Sequence, residues 1–389
     1  MSNFGIVCEF NPLHDGHVHL FDEARRLGAE RIVCVMSGNA VQRGEIALFD
    51  KYVRAEAALR CGADLVLELP FPWCAASAEY FARAGMRVLS DFCDNVIFGS
   101  ECGDITLLAG AAVAASSPKF RERYRERVES GERAAQVYFD MLSNSNGGNS
   151  FSSNDILGIE YMRAAKAIGY APKFHTVRRE GAAYNATELK SAEYPSATAL
   201  RRTWQEGGME ECEKHIPREA YSIFSEAYFD GGMTDIYQLS RALLAFFRLA
   251  DPKELEEFAD AEGGIANRIC ALAHECASLE EMLERLSTKR YTDAKLKRAI
   301  LFSMCKVGRD LLAKDPEYTT LLAANAKGRE LLASARKQDG IRVITKPADA
   351  PEDSAQSEAA RRLDSLFTLA KMQTAPSGEY MKKSAFIEK

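Results

Sequence analysis

The sequence predicts an α/β chain, a parallel β-sheet built from βαβ units and followed by a mainly helical C-terminal part. Three observations carry that prediction. Short apolar runs alternate with amphipathic stretches through the first half of the chain. Three of the runs end in polar clusters containing glycine: NPLHDGH, SGN and GSE. From Tyr194 to about Ala335 the pattern is almost wholly helical.

In chain order, residues 4–10 (FGIVCEF) are apolar enough for a buried strand, and a turn and a helix to about Leu27 follow. Residues 31–36 (RIVCVM) form a second strand that stops at Ser37-Gly38-Asn39. A helix over 50–61 leads into a strand over 63–69, closed by Pro70 and Pro72. A helix over 77–89 precedes a strand over 95–98, which ends at Gly99-Ser100-Glu101. A long polar helix is expected over 118–142, a loop over 143–150, a helix capped by Asn154, and a fifth strand over 173–179. Strands separated by helices imply a five-stranded parallel sheet, whose ligands sit at the carboxyl ends of the strands. The domain reading is 1–205 for the sheet domain, 206–350 for a helical domain, and 351–389 for an extension with a loop and a short helix.

Composition narrows the class. At roughly 150 residues per domain, 389 residues suggest two domains and a small extra lobe. An apolar content of 47% excludes a wholly disordered chain. No stretch approaches the roughly 20 apolar residues of a spanning helix, and no basic leader precedes the first strand. The ten cysteines are scattered without CxxC spacing, which favours buried free thiols in a reducing, cytoplasmic setting. A net charge of −6 argues against indiscriminate coating of nucleic acid but leaves room for a local basic patch.

The strongest chemical signal is Asn11-Pro12-Leu13-His14-Asp15-Gly16-His17 between a strand and a helix. Helix N-terminal amides favour an anion there, and Gly16 permits close backbone approach. His14 and His17, one turn apart, can hydrogen-bond phosphate oxygens and stabilise charge developing on them. A surface turn with incidental histidines is the plainer alternative. A zinc pair fits less well, because HExxH spaces its histidines by four, and no metal site is expected. Ser196, Thr198 and Arg201 stand at another helix start, where hydroxyls and an arginine clamp phosphate or merely cap the helix. Lys289, Arg290, Tyr291, Lys295, Lys297 and Arg298 put five cations and an aromatic within ten positions. Such a run suits a single-stranded nucleic-acid loop, or simply a solvated helix face. His175 reads as a core or edge residue of an apolar strand, His215 and His274 lie on helical segments without ligand partners, and the stripe over 239–249 reads as core.

The strand–HxGH–helix arrangement resembles the HIGH-type nucleotidyltransferase superfamily. A closer resemblance is to the bacterial tRNA(Met) cytidine acetate ligase family. It is carried by GIVCEFNPLHDGH, MSGNAVQRGEIALFDKYVRAE, ADLVLELPFPWCAASAEYFA, IFGSE, NDILGIEYMRA, YPSATALR, EGGIANRI, STKRYTDAKLKRAI and AKGRELL, which span most of the chain. The resemblance implies a Rossmann-like nucleotidyltransferase domain and an ATP-dependent ligase. Such an enzyme activates acetate as acetyl-adenylate, releases pyrophosphate, and acetylates N4 of the wobble cytidine in the anticodon loop of elongator tRNA(Met). ATP as substrate, magnesium with it, and acetate as co-substrate are implied; no membrane partner is.

By the same resemblance His14 and His17 are catalytic. The ATP-binding set is Val7, Cys8, Glu9, Phe10, Asn11, Pro12, Leu13, His14, Asp15, Gly16, His17, Val18, His19, Leu20, Gly99, Asn154, Arg179, Ser196, Thr198 and Arg201. Gln42, Arg43 and Lys51 are expected phosphate or acetate contacts, with an Arg43–Glu45 loop salt bridge as the alternative. The chain departs from the family pattern at Ser153 and Asp155, in the run from Gly181 to Ala186, and at Asp293; Asp155 adds a negative charge beside Asn154. Two rival readings are a small-molecule adenylyltransferase of the phosphopantetheine or nicotinate-mononucleotide type, and an inactive RNA-binding relative. The long helical appendage speaks against the first and the intact HxGH against the second.

Overall fold

A computed structural model of the chain describes residues 2–145, 150–179, 196–288, 291–335 and 340–388. Ten strands are present among them: β1 (Asn3–Cys8), β2 (Arg31–Ser37), β3 (Ala40–Val41), β4 (Glu45–Ile46), β5 (Leu65–Leu69), β6 (Asn95–Ser100), β7 (Lys173–Arg178), β8 (Tyr318–Ala324), β9 (Arg342–Ile344) and β10 (Phe386–Ile387). The main sheet runs β10-β8-β5-β2-β1-β6-β7, with β9 beside β8, while β3 and β4 form a separate hairpin. The five strands β7, β6, β1, β2 and β5 are mutually parallel, as the sequence predicts.

Burial explains the apolar runs. Every residue of β2 and β5 is buried, as expected of a parallel sheet covered on both faces. Helices α1 (Asp15–Arg26) and α2 (Lys51–Arg60) bury Phe21, Ala24, Ala55 and Leu59 on one face. Helix α3 (Ala78–Leu89) buries Phe81, Met86 and Leu89 on the other. A third apolar cluster joins the helices of 240–249, 265–275, 279–286 and 293–305. Eight of the ten cysteines are buried thiols. Among the described residues no helix is long and apolar enough to cross a membrane.

The expected helical continuation to about Ala335 needs correction. Residues 318–324 (YTTLLAA) form the fully buried strand β8, antiparallel to β5, with β9 and β10 parallel to β8. Segments beyond residue 205 therefore complete the sheet, and the expected boundary there does not divide a sheet domain from a helical one. The extension is likewise seated. In the helix Ala355–Ala370, Gln356 bonds Tyr318 O (2.9 Å) and Glu317 N (2.8 Å), and Asp364 accepts from Asn39 (2.9 Å). The expected helix over 118–142 is two helices, Pro118–Glu129 and Ala134–Ser145, with Gly131 at φ 97° between them. The cap of the helix Ser153–Ala167 is Ser152 rather than Asn154.

Candidate active site

β1 delivers the NPLHDGH loop to the sheet's carboxyl edge. Phe10, at φ 45°, turns the chain out of the strand, and fully buried Leu13 anchors the loop in the core. His14 is the N-cap of α1. Its Nδ1 accepts from Gly16 N (3.1 Å), while its own backbone N–H donates to His17 Nδ1 (3.2 Å). The ring centroids lie 3.9 Å apart. With both δ nitrogens accepting, each neutral ring carries its proton on Nε2, so the pair offers two N–H donors. Burial, then Arg179 and His215, push His14 down to about 3. Burial, His14 and Arg179 hold His17 well below its ordinary value. Both rings are thus neutral near pH 7 in the unliganded site.

That neutrality has a stability consequence. Below the ordinary histidine value of 6.5 the unfolded chain takes up a proton at His14 that the folded chain refuses until about 3. The contribution is fully present above pH 6.5 and is lost as pH falls through that window. Urea midpoints measured from pH 7 to pH 4 should fall less steeply for His14→Asn than for the parent; equal slopes would contradict the assignment.

The cavity above these rings is lined by Val7, Cys8, Glu9, Phe10, Asn11, His14, His17, Leu20, Gly99, Asn154, Arg179, Ser196, Thr198 and Arg201, with Gln42 and Arg43. One space therefore gathers three strand or loop ends and the second helix start. The structure does not bring Pro12, Leu13, Asp15, Gly16, Val18 or His19 to its wall. Leu13 is core, Val18 packs beside the core on α1, His19 is exposed, and Gly16 contributes its amide to the His14 cap.

The opposite wall is tied together by side chains. Arg201 donates to Asn11 O (2.8 Å) and to Thr198 Oγ1 (3.2 Å), and Ser196 caps its helix through Ala199 N (3.1 Å). Gly99 has no Cβ, which would lie 3.2 Å from Arg179 Cγ, so the arginine stem can lie across the strand end. Glu101 accepts from Asn154 (2.6 Å), pairs with Arg179 (3.7 Å) and bonds Ser152 Oγ. Sequence reasoning left out this organising role of Glu101, although IFGSE was the signal for it. Asp155 does not line the cavity. It is buried and accepts from Ser152 N (2.8 Å) and Cys102 N (3.1 Å).

Glu45 is the second residue that sequence reasoning undervalued. It lines the cavity, receives Lys297 Nζ (2.6 Å) and faces Arg201 (3.8 Å). Burial opposes its ionisation, but Lys297, Arg201 and Arg43 outweigh it and hold the carboxyl below the usual range. Glu9, half-buried and accepting from Gln42 N (2.8 Å), is pushed up by desolvation. Gly44, just before Glu45, has φ 73°, and a Cβ there would lie 2.6 Å from Arg298 N. Gly44→Ala should cost about 1–3 kcal/mol of stability, read from thermal or urea unfolding; an unchanged midpoint would mean the loop relaxes freely.

Lys51 is not a phosphate or acetate contact in this structure. Its Nζ is buried against Glu68 (2.7 Å) and Asp364 (4.0 Å), off the cavity wall. Arg54 is also internal. It donates to the carbonyls of Glu9 (2.6 Å), Ser37 (3.1 Å), Gly38 and Phe49 (2.9 Å), clamping the ends of β1 and β2.

The basic run does not form one open face. Lys289 and Arg290 lie outside the described residues. Tyr291 donates to Gly263 O (2.9 Å), and Lys295 pairs with Glu262 (2.7 Å) and Asp260 (3.9 Å). Buried Arg298 pairs with Asp260 (2.6 Å), so a direct nucleic-acid contact from it requires correction. The helix Asp293–Cys305 turns Lys297 toward Glu45 and its two neighbours toward the 260–262 turn.

Among the described residues no cluster of three or more His, Cys, Asp or Glu is placed to hold a metal ion. What the site offers instead is neutral N–H donors, arginines and a strand-end backbone, arranged around a space open to an anionic ligand.

The chain is similar over its whole length to known proteins. A family model described as HIGH Nucleotidyl Transferase matches residues 1–381. The tRNA(Met) cytidine acetate ligase of Caldanaerobacter subterraneus subsp. tengcongensis is 33% identical over 386 residues, 95% of this chain and 96% of that protein. The Clostridium perfringens protein of the same name is 32% identical over 374 residues, 91% of this chain and 92% of its own. Thermotoga maritima TmcAL in its apo form superposes with a TM-score of 0.90 at 30% identity, covering all of both chains. The same protein bound with alpha-thio ATP gives a TM-score of 0.87 at 29% identity, over 100% of this chain and 99% of that one. The chain belongs to the HIGH nucleotidyl transferase family and, within it, to the tRNA(Met) cytidine acetate ligases.

Proposed function

We propose that this protein couples ATP to acetate as acetyl-adenylate, with release of pyrophosphate, and transfers the acetyl group to N4 of the wobble cytidine of elongator tRNA(Met) in the cytoplasm. The observation that carries the reading is the pair of neutral histidines, each with Nε2–H free of its own backbone, in a cavity that also holds Arg179, Thr198 and Arg201. An adenylate-forming step needs the α-phosphate positioned for attack by a carboxylate oxygen, with the charge on the departing pyrophosphate met by fixed donors. Neutral N–H donors supply this without becoming charged themselves. The names of the relatives, and the alpha-thio ATP bound by the Thermotoga protein, support ATP as the ligand. Magnesium would come with the triphosphate, which it binds chiefly through phosphate oxygens and water. The anticodon loop leaves its bases accessible, so presenting cytidine N4 costs little unstacking.

Acetate-dependent exchange of labelled pyrophosphate into ATP tests the first step. Exchange with acetate and none without it is expected; exchange indifferent to acetate would replace acetate as the activated acid. For the second substrate, replacing Lys289 and Arg290 by alanine should weaken tRNA binding and lower the slope of log affinity against log salt by about 0.7 per lost phosphate contact. An unchanged slope would move the phosphate contacts elsewhere.

A further inference from the structure

We propose that the larger cavity beside the active site receives the acceptor base of the RNA, extruded from its loop, and that Glu45 at the junction of the two cavities recognises the base's exocyclic amine. The inference rests on the acetyl-transfer reading above and adds the place and the selectivity of the acceptor.

This cavity has a volume of about 560 Å³, within the range of sites that enclose a small ligand. It lies between β4, the helix Ala197–Gln205, the turn at 233–239 and the helices Leu279–Leu286 and Asp293–Cys305. Glu45, Thr198 and Arg201 line both it and the nucleotide cavity. A group held in one space therefore meets a group held in the other at those three side chains. A transfer enzyme needs this arrangement, because the nucleophile must reach an acyl group still attached to the nucleotide.

The walls suit a base. Leu239, Leu243, Leu279 and Ile300 give apolar surface, and Tyr237, 48% exposed, stands among the lining residues as an aromatic face for stacking. Where the two cavities meet, Glu45 stays ionised between Lys297 and Arg201. A carboxylate accepts a hydrogen bond from the N4 amine of cytosine but meets the O4 carbonyl of uracil with repulsion, so it selects an amino base by both attraction and exclusion. Lys297 and Arg201, the two cations paired with Glu45 in the cavity wall, add positive charge that suits the phosphodiester of an extruded nucleotide. These features favour an RNA base over an apolar protein segment, which would gain nothing from the half-buried carboxylate.

The test separates activation from transfer. Hydroxylamine intercepts an acyl-adenylate as acetohydroxamate and needs no base pocket, so each variant is scored as the ratio of tRNA acetylation to acetohydroxamate formed from ATP and acetate. Leu283→Trp, which fills the cavity, should lower that ratio by about 100-fold, and Tyr237→Ala, at an exposed position, by about ten-fold. A ratio unchanged in Tyr237→Ala overturns the proposal even if the tryptophan variant fails to fold. A raised KM for ATP in Leu283→Trp, with capture and transfer falling together, overturns it by placing the adenine in this cavity. Wild-type protein that forms neither product overturns the activation reading itself, and the base pocket with it.

Discussion

Replacing His14 or His17 by alanine lowers the rate of acetate-dependent pyrophosphate exchange by about 10²–10³-fold and leaves tRNA affinity near that of the parent. The size follows from geometry: each ring is fixed by a backbone hydrogen bond at Nδ1, so its remaining N–H is already oriented when the phosphate arrives. His14→Ala also uncaps α1, which costs about 1 kcal/mol of stability by loss of the bond from Gly16 N. His14→Asn separates the two effects, because asparagine can cap the helix yet has no donor at the Nε2 position. Stability retained with exchange lost supports a catalytic donor. Exchange retained in His14→Asn would reduce His14 to a cap.

Lys51→Ala has the largest expected effect on folding, a loss of about 3–5 kcal/mol. Its ammonium is the buried partner of Glu68 and the near neighbour of Asp364, and removing it leaves two carboxyls in the interior. Burial already pushes Asp364 up to about 7 against the pull of Lys51. A carboxyl whose folded value exceeds its unfolded value binds an extra proton when folded, so its contribution weakens as pH rises through the interval, here from about 4 to about 7. Without Lys51 that interval widens upward, and the variant's deficit should be larger at pH 8 than at pH 5. Urea unfolding at the two pH values measures it. A pH-independent loss would show that Lys51 acts through packing alone, and the triple variant Lys51→Ala, Glu68→Gln, Asp364→Asn should recover part of the stability.

The five parallel strands were legible because β2, β5 and their neighbours are continuous apolar runs bounded by glycine, proline or polar clusters. The strand-end loops were legible for the same reason, and they bring Glu9, Phe10, Asn11, His14, Gln42 and Arg43 to the cavity wall. β8 was not, because periodicity alone does not separate a short buried strand from a buried helix, although Tyr318, Thr319, Thr320 and the preceding Pro316 were strand signals. Neither was the fate of charged side chains. Lys51, Arg54 and Arg298 look like surface cations in one dimension, and their burial depends on carboxylates and carbonyls far away in sequence: Glu68, Asp364, Asp260 and the ends of β1 and β2. Glu45 shows the converse. Its loop was singled out, but its place between two cavities depends on the helix Asp293–Cys305, more than 240 residues on.

The most direct test of the account is incubation of the protein with ATP, magnesium, labelled acetate and unmodified elongator tRNA(Met), followed by nucleoside analysis of the RNA. Label in N4-acetylcytidine, absent when ATP is omitted or the wobble cytidine is changed to uridine, is the predicted result. Pyrophosphate released from ATP with no label in the tRNA would contradict it and leave a nucleotidyltransferase with a different acceptor.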